Sequence, residues 1–122
     1  MDLPTNIDAC FANVDDLWSP LTIAVVNDYD VRIAEVEGEF VWHAHDDTDE
    51  FFQVMSGELL IDLEDRDPVT LGAGDVFVVP AGLRHRPRAE VRTRILLLEP
   101  SNVVNTGDES STLRSERRLA ES

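Results

Sequence analysis

The feature that most constrains this chain is its punctuation. From Leu21 to Glu99, short runs rich in Val, Ile and Phe alternate with clusters of Gly, Pro, Asp and Asn. Such runs last about four to eight residues, which is strand length rather than helix length. Strands are expected at Thr22–Asn27, Asp30–Val36, Glu39–His45, Glu50–Ser56, Glu58–Asp65, Val69–Leu71, Asp75–Val79, His85–Ala89 and Thr93–Glu99. Turns are expected at Asn27-Asp28, Glu37-Gly38, the Asp46–Asp49 run, Ser56-Gly57, the Asp65–Pro68 run, the Gly72–Gly74 run and the Pro80–Gly82 run. Many short strands at this spacing predict an all-β sandwich or barrel.

The two ends read differently. Ile7, Cys10, Phe11, Val14, Leu17 and Trp18 recur with a helical period, predicting a helix over Thr5–Trp18. Thr5 or Asn6 can cap it, and Pro20 stops it. Residues 1–20 are therefore read as a helical segment packed on the barrel or on a second copy, and residues 21–100 as the barrel. Residues 101–122 are read as a polar tail, with the last dozen or so poorly ordered. Arg114, Arg117 and Arg118 in that tail are read as a solvated end.

Composition narrows the partners. The 122 residues carry 25 acidic and 10 basic side chains, a net charge of −15. Nucleic acid and anionic membranes are poor partners for such a field. Every basic residue is Arg, a bias that fits high-salt adaptation or a GC-rich genome equally. No apolar run approaches the roughly 20 residues of a membrane span, and the N-terminus lacks signal-peptide order, so a soluble, cytoplasmic protein is expected. Cys10 is the single cysteine, which excludes an internal disulfide and is read as a small buried residue of the helix.

The chemistry rests on three histidines, His43, His45 and His85. Side chains alternate along a strand, so His43 and His45 share a face with Val41, while Trp42 and Ala44 point away. If the Asp46–Asp49 turn makes a hairpin, Glu50 lies beside the two imidazoles, with Phe52 and Val54 walling the same face. Two imidazoles and a carboxylate at this spacing suit a divalent transition metal. His85 enters from a separate loop, and no histidine is used elsewhere.

These residues resemble the two motifs of the cupin superfamily. The first reads Gly38-Glu-Phe-Val-Trp-His43-Ala-His45-Asp-Asp-Thr-Asp-Glu50, then Gly57; the second reads Gly74 through Pro80-Ala-Gly82-Leu-Arg-His85. The resemblance implies a double-stranded β-helix, or jelly-roll barrel. It also implies one divalent ion (Fe, Mn, Ni, Co, Cu or Zn) held by His43, His45, Glu50 and His85. Two departures stand out. The spacer from Gly38 to His43 has four residues where the usual pattern has five, and Ala89 replaces the usual closing Asn of the second motif.

A metal held by four ligands keeps two open positions for water, dioxygen or a small oxygen-bearing ligand. The reading ranked first is an enzyme acting on a small oxygen-rich or anionic substrate, of dioxygenase or oxidase type before isomerase or decarboxylase. Glu50 is its candidate base as well as a ligand. The alternative is a non-enzymatic module that binds a small molecule or senses a metal. Gln53 is expected to face away from Glu50, Arg84 is read as a surface residue, and Asp46, Asp47 and Asp49 as a solvated turn. The Asn102–Asp108 stretch is either a pocket cover or a plain connection. A homodimer is expected, with Trp42 and the N-terminal helix as apolar surface.

Overall fold

The structure is a computed structural model that describes residues 3–103 and 117–120. A helical turn, α1 (Ile7–Cys10), runs into a 3-10 turn (Phe11–Asn13). Seven strands follow: β1 (Leu21–Val26), β2 (Tyr29–Glu39), β3 (Glu50–Ser56), β4 (Glu58–Leu63), β5 (Arg66–Gly72), β6 (Val76–Val79) and β7 (His85–Pro100). The pairing is antiparallel throughout, in the order β1-β2-β7-β3-β6, with β4 joining β5 to β7. The expected all-β jelly-roll barrel with one short helix is present.

The long strand β7 organises the barrel. Its first residues, His85 to Arg88, pair with β4; Arg94 to Leu98 pair with β3; β2 borders both stretches. The β3–β4 corner therefore straddles β7 at Thr93, which is fully buried and whose hydroxyl accepts from Glu58 N at 3.1 Å. Gly57 makes that corner with φ +89. A Cβ there would lie 2.4 Å from the Thr93 hydroxyl oxygen and 2.9 Å from its Cα.

Strict alternation fills the interior. Glu50, Phe52 and Val54 on β3, Leu59, Ile61 and Leu63 on β4, and Ile95, Leu97 and Glu99 on β7 are buried. Each large apolar side chain among them stabilises the fold by roughly 2 kcal/mol. A second cluster lies outside the barrel wall, where Phe11 and Val14 cover Leu21 and Ile33, with Cys10 half-buried at its margin.

Several local expectations change: β2 runs through the turn expected at Glu37-Gly38, and β5 begins inside the turn expected at Asp65–Pro68. The helix closes after Cys10, capped at its start by the Asn6 side chain on Ala9 N (2.9 Å). Asn13, Asp15 and Asp16 are weak helix formers. Trp18 adopts φ 61 and leaves the helical stripe, and its ring stacks on Phe40 at 4.9 Å. The strand expected at Glu39–His45 is reduced to one bridge, His43 with His85. Pro87 in the facing strand offers a carbonyl to Phe40 N (2.9 Å) but no N–H in return, and the stretch bulges between Phe40 and His43. The expected break at Glu90–Arg92 is absent, because β7 continues through it. Finally, residues 117–120 are a packed segment. Leu119 bridges Thr22, Arg118 donates to Ser19 O (3.1 Å), and Ala120 joins the outer cluster. The rest of the expected disordered tail, with Arg114 and the 104–108 cover, lies outside the described residues.

Candidate metal centre

His43 and His45 come from the bulged stretch before β3, Glu50 opens β3, and His85 opens β7. Backbone bonds bring them together. His43 and His85 exchange both of theirs, at 3.0 and 2.8 Å, and Gly82 N donates to His45 O at 2.9 Å. The Asp49 carboxylate accepts from Ala81 N at 2.9 Å, tying the acidic turn to the loop that presents His85. All four side chains are buried, and their candidate ligand atoms lie within 4.8 Å of one another.

The imidazoles are oriented. His43 Nδ1 faces Val41 O and His85 Nδ1 faces Leu83 O, each at 2.9 Å. A carbonyl only accepts, so Nδ1 carries the hydrogen and Nε2 is left with its lone pair. Glu50 Oε1 lies 3.1 Å from His85 Nε2 and 3.6 Å from His45 Nε2. The buried His45 Nε2 has no hydrogen-bond partner. Burial lowers His43 to a pKa of about 4, helped by the neighbouring His85. Burial opposes ionisation of Glu50, but the neighbouring His45 and His85 outweigh it and hold the carboxyl well below the usual range.

This donor set fits a divalent transition metal. Bonds of about 2.1 Å to one ion place donors roughly 3 to 4.2 Å apart. Four buried donors already within 4.8 Å of one another need little movement to reach that spacing. The unpartnered His45 Nε2 is the atom that an ion would satisfy.

Two spaces adjoin the cluster. One, of about 30 Å³, lies inside the barrel among Phe40, His43, Glu50, Phe52 and Glu99. The other, of about 320 Å³, opens at the barrel end beside His45, between the acidic turn and Asn102 and Val103.

The remaining candidates lie elsewhere. Gln53 is on the outward side of β3, paired with Val76 and Leu96. Arg84 is half-exposed and paired with Glu64 at 3.1 Å. Asp46, Asp47 and Asp49 are exposed, although Asp49 also holds the loop.

A buried ionic group was not anticipated from the sequence. Arg32 donates to Glu99 Oε1 (2.8 Å) and to Asp30 Oδ2 (3.1 Å), and Arg117 reaches Asp30 Oδ2 at 2.6 Å. Glu99 is 1% exposed. Burial first, and then the nearby Glu50 charge, push its carboxyl well above the usual range. Strand parity was the available signal: Asp30 and Arg32 alternate with Val31 and Ile33, and Glu99 continues the inward row of Ile95 and Leu97.

Among the described residues, no helix is long and apolar enough to cross a membrane. Residues 30–99 match the cupin domain family. The uncharacterised protein YdbB of Bacillus subtilis is 43% identical over 94 residues, covering 77% of this chain and 83% of that protein. A cupin-2 domain protein from Shewanella frigidimarina is similar in structure, with a TM-score of 0.76 and 45% identity over 79% of this chain and 93% of that one. Hydroquinone 1,2-dioxygenase from Sphingomonas sp. TTNP3, in complex with 4-nitrophenol, has a TM-score of 0.73 at 28% identity. The likeness covers 80% of this chain and 32% of the dioxygenase.

Proposed function

The chain belongs to the cupin domain family, and from that premise we propose that His43, His45, Glu50 and His85 hold one divalent transition-metal ion at the centre of an enzyme site. The carrying observation is the convergence of four buried donor atoms, one of them the unpartnered His45 Nε2. When bound, the ion supplies Lewis-acid or redox chemistry to a ligand at its open positions.

The protein's own groups set what that ligand can be. The 320 Å³ space beside His45 admits a small molecule, and the exposed acidic turn at its rim disfavours a highly anionic one. This favours an oxygen-bearing neutral substrate. Phe40 and Phe52 keep the inner side dry. Glu50 is the one carboxylate among the ligands, and it is the group proposed to take a proton from a bound hydroxyl. Similarity to a hydroquinone dioxygenase supports ranking oxygen-dependent oxidation of a phenol-like substrate first.

The competing reading is a binding or sensing module. It is favoured by the apolar interior, which offers no nucleophile beside the ligand set. Metal analysis of untagged protein, followed by oxygen uptake of the Fe(II)-loaded chain with catechols, hydroquinones, thiols and diketones, tests both. Uptake with one class is expected; metal binding without turnover of any class would favour the binding module.

Phe11 and Val14 of the N-terminal segment are covered within the chain, while Trp42 stays exposed with Arg86 over its ring. A better surface is the outer sheet face, where Val31, Leu98, Phe51 and Val78 stand in register across four strands. A homodimer through this face is part of the proposal.

A further inference from the structure

Three acidic residues line up across the inner face of the main sheet. Asp30 on β2 pairs with Glu99 on β7. On its other side, β7 pairs Leu98 with Phe51 and Leu97 with Phe52 of β3. One step further, the same register sets Glu99 opposite Glu50. Like charges placed directly opposite destabilise a sheet unless something joins or neutralises them. Asp30 has Arg32, Arg117, Ser101 and Thr22 around it. Glu99 has Arg32 on Oε1, while its Oε2 is buried with no protein donor. The polar neighbours on its cavity side are Glu50 and His43; the other walls include Phe40, Phe52 and Leu97.

We propose that Glu99 is a positioning residue of the metal centre: clamped by Arg32 on one oxygen, it turns the other toward Glu50 and fixes that carboxylate for ligation. This rests on the ligand assignment made above. Held opposite Glu50 across a narrow cavity, the Glu99 side chain restricts the rotamers open to it, as partners behind metal ligands commonly do. Arg32 sets Glu99, Glu99 sets Glu50, and Glu50 joins His45 and His85. The Arg32–Asp30–Glu99 group thereby connects the sheet interior to the site rather than serving stability alone.

The test is metal affinity of the full chain, read by Co(II) titration against a chromophoric chelator, with the Co(II) absorption spectrum as a second signal. E99L removes the contact and is expected to weaken Co(II) binding by roughly 10- to 100-fold and to alter the spectrum. E99Q keeps an acceptor for Arg32 and offers Glu50 an N–H from the same position, so it is expected to retain most of the affinity and the spectrum. E99D keeps the charge that balances Arg32 but shortens the reach, and it decides the matter should E99L fail to fold. Expected is weakened binding with an altered spectrum. Wild-type affinity and spectrum in both E99D and every folded E99L preparation would overturn the proposal and leave Glu99 as a counter-charge for Arg32. The ligand assignment fails separately, if wild type and E50A bind Co(II) equally or not at all.

Discussion

Arg117, near the end of the chain, reaches Asp30 at the start of β2, with Nε 2.6 Å from Oδ2 and Nη2 3.0 Å from Oδ1. Asp30 is fully buried and also accepts from Thr22, Arg32 and Ser101. The tail thus completes a charge cluster formed mainly by distant strands. R117Q is expected to lower the melting temperature by a few degrees, and D30A to cost about 3 kcal/mol because it leaves a buried arginine short of a partner. Arg117, then Ser101 and Arg32, hold the Asp30 carboxyl below its usual range against the opposing effect of burial. The unfolded chain therefore takes up this proton first. The stabilisation is complete above about pH 4 and fades as the pH falls further. The gap between wild type and R117Q should narrow in that acid window; thermal melts at pH 7 and pH 3 measure it.

Gly57 and Gly74 separate two penalties. Both have φ near +90, but a Cβ at Gly74 meets open space, whereas one at Gly57 meets Thr93. G74A should cost about 1 kcal/mol from backbone strain alone. G57A must also push apart the corner over β7, and about 3 kcal/mol is expected. Equal urea midpoints for the two variants would refute this account of the corner.

Metal should stabilise the fold through the four ligands. At a hundred times its dissociation constant a bound ion adds about 2.7 kcal/mol. Mn(II) or Co(II) should raise the melting temperature of wild type, and a chelator should reverse the gain. H45A and E50A should lose most of the shift while keeping a folded far-ultraviolet spectrum.

The metal-free chain should weaken in mild acid. His43 is held near pKa 4 in the fold, while an unfolded histidine titrates near about 6.5. Between these values the unfolded chain binds the extra proton, so stability falls as pH drops from about 6.5 to about 4, by up to about 3 kcal/mol. H43Q should flatten that part of the profile in urea unfolding at pH 7 and pH 5. An unchanged slope in H43Q would assign the loss to other groups.

Association should depend on the outer sheet face. Val78 is 47% exposed and continues the apolar row of Phe51 and Leu98. V78E should yield a species of one chain mass, 13.7 kDa, by light scattering, where wild type gives twice that. Wild type running at the single-chain mass would remove this face from the proposal.

Much of this protein is legible in its residue order. Alternation along Glu50–Ser56 and along Ile95–Glu99, the turn at Gly57, and the spacing of His43, His45, Glu50 and His85 are local properties, set by how neighbouring side chains leave a pleated backbone. Strand pairing is different, because it joins residues far apart in the chain. Only the folded register places Glu99 opposite Glu50, runs β7 unbroken past Glu90, and brings Arg117 to Asp30. The stretch from Phe40 to His45 shows the boundary between the two. Its own residues read as a strand, yet Pro87, on a partner fixed by the fold, withholds the N–H that would have made it one.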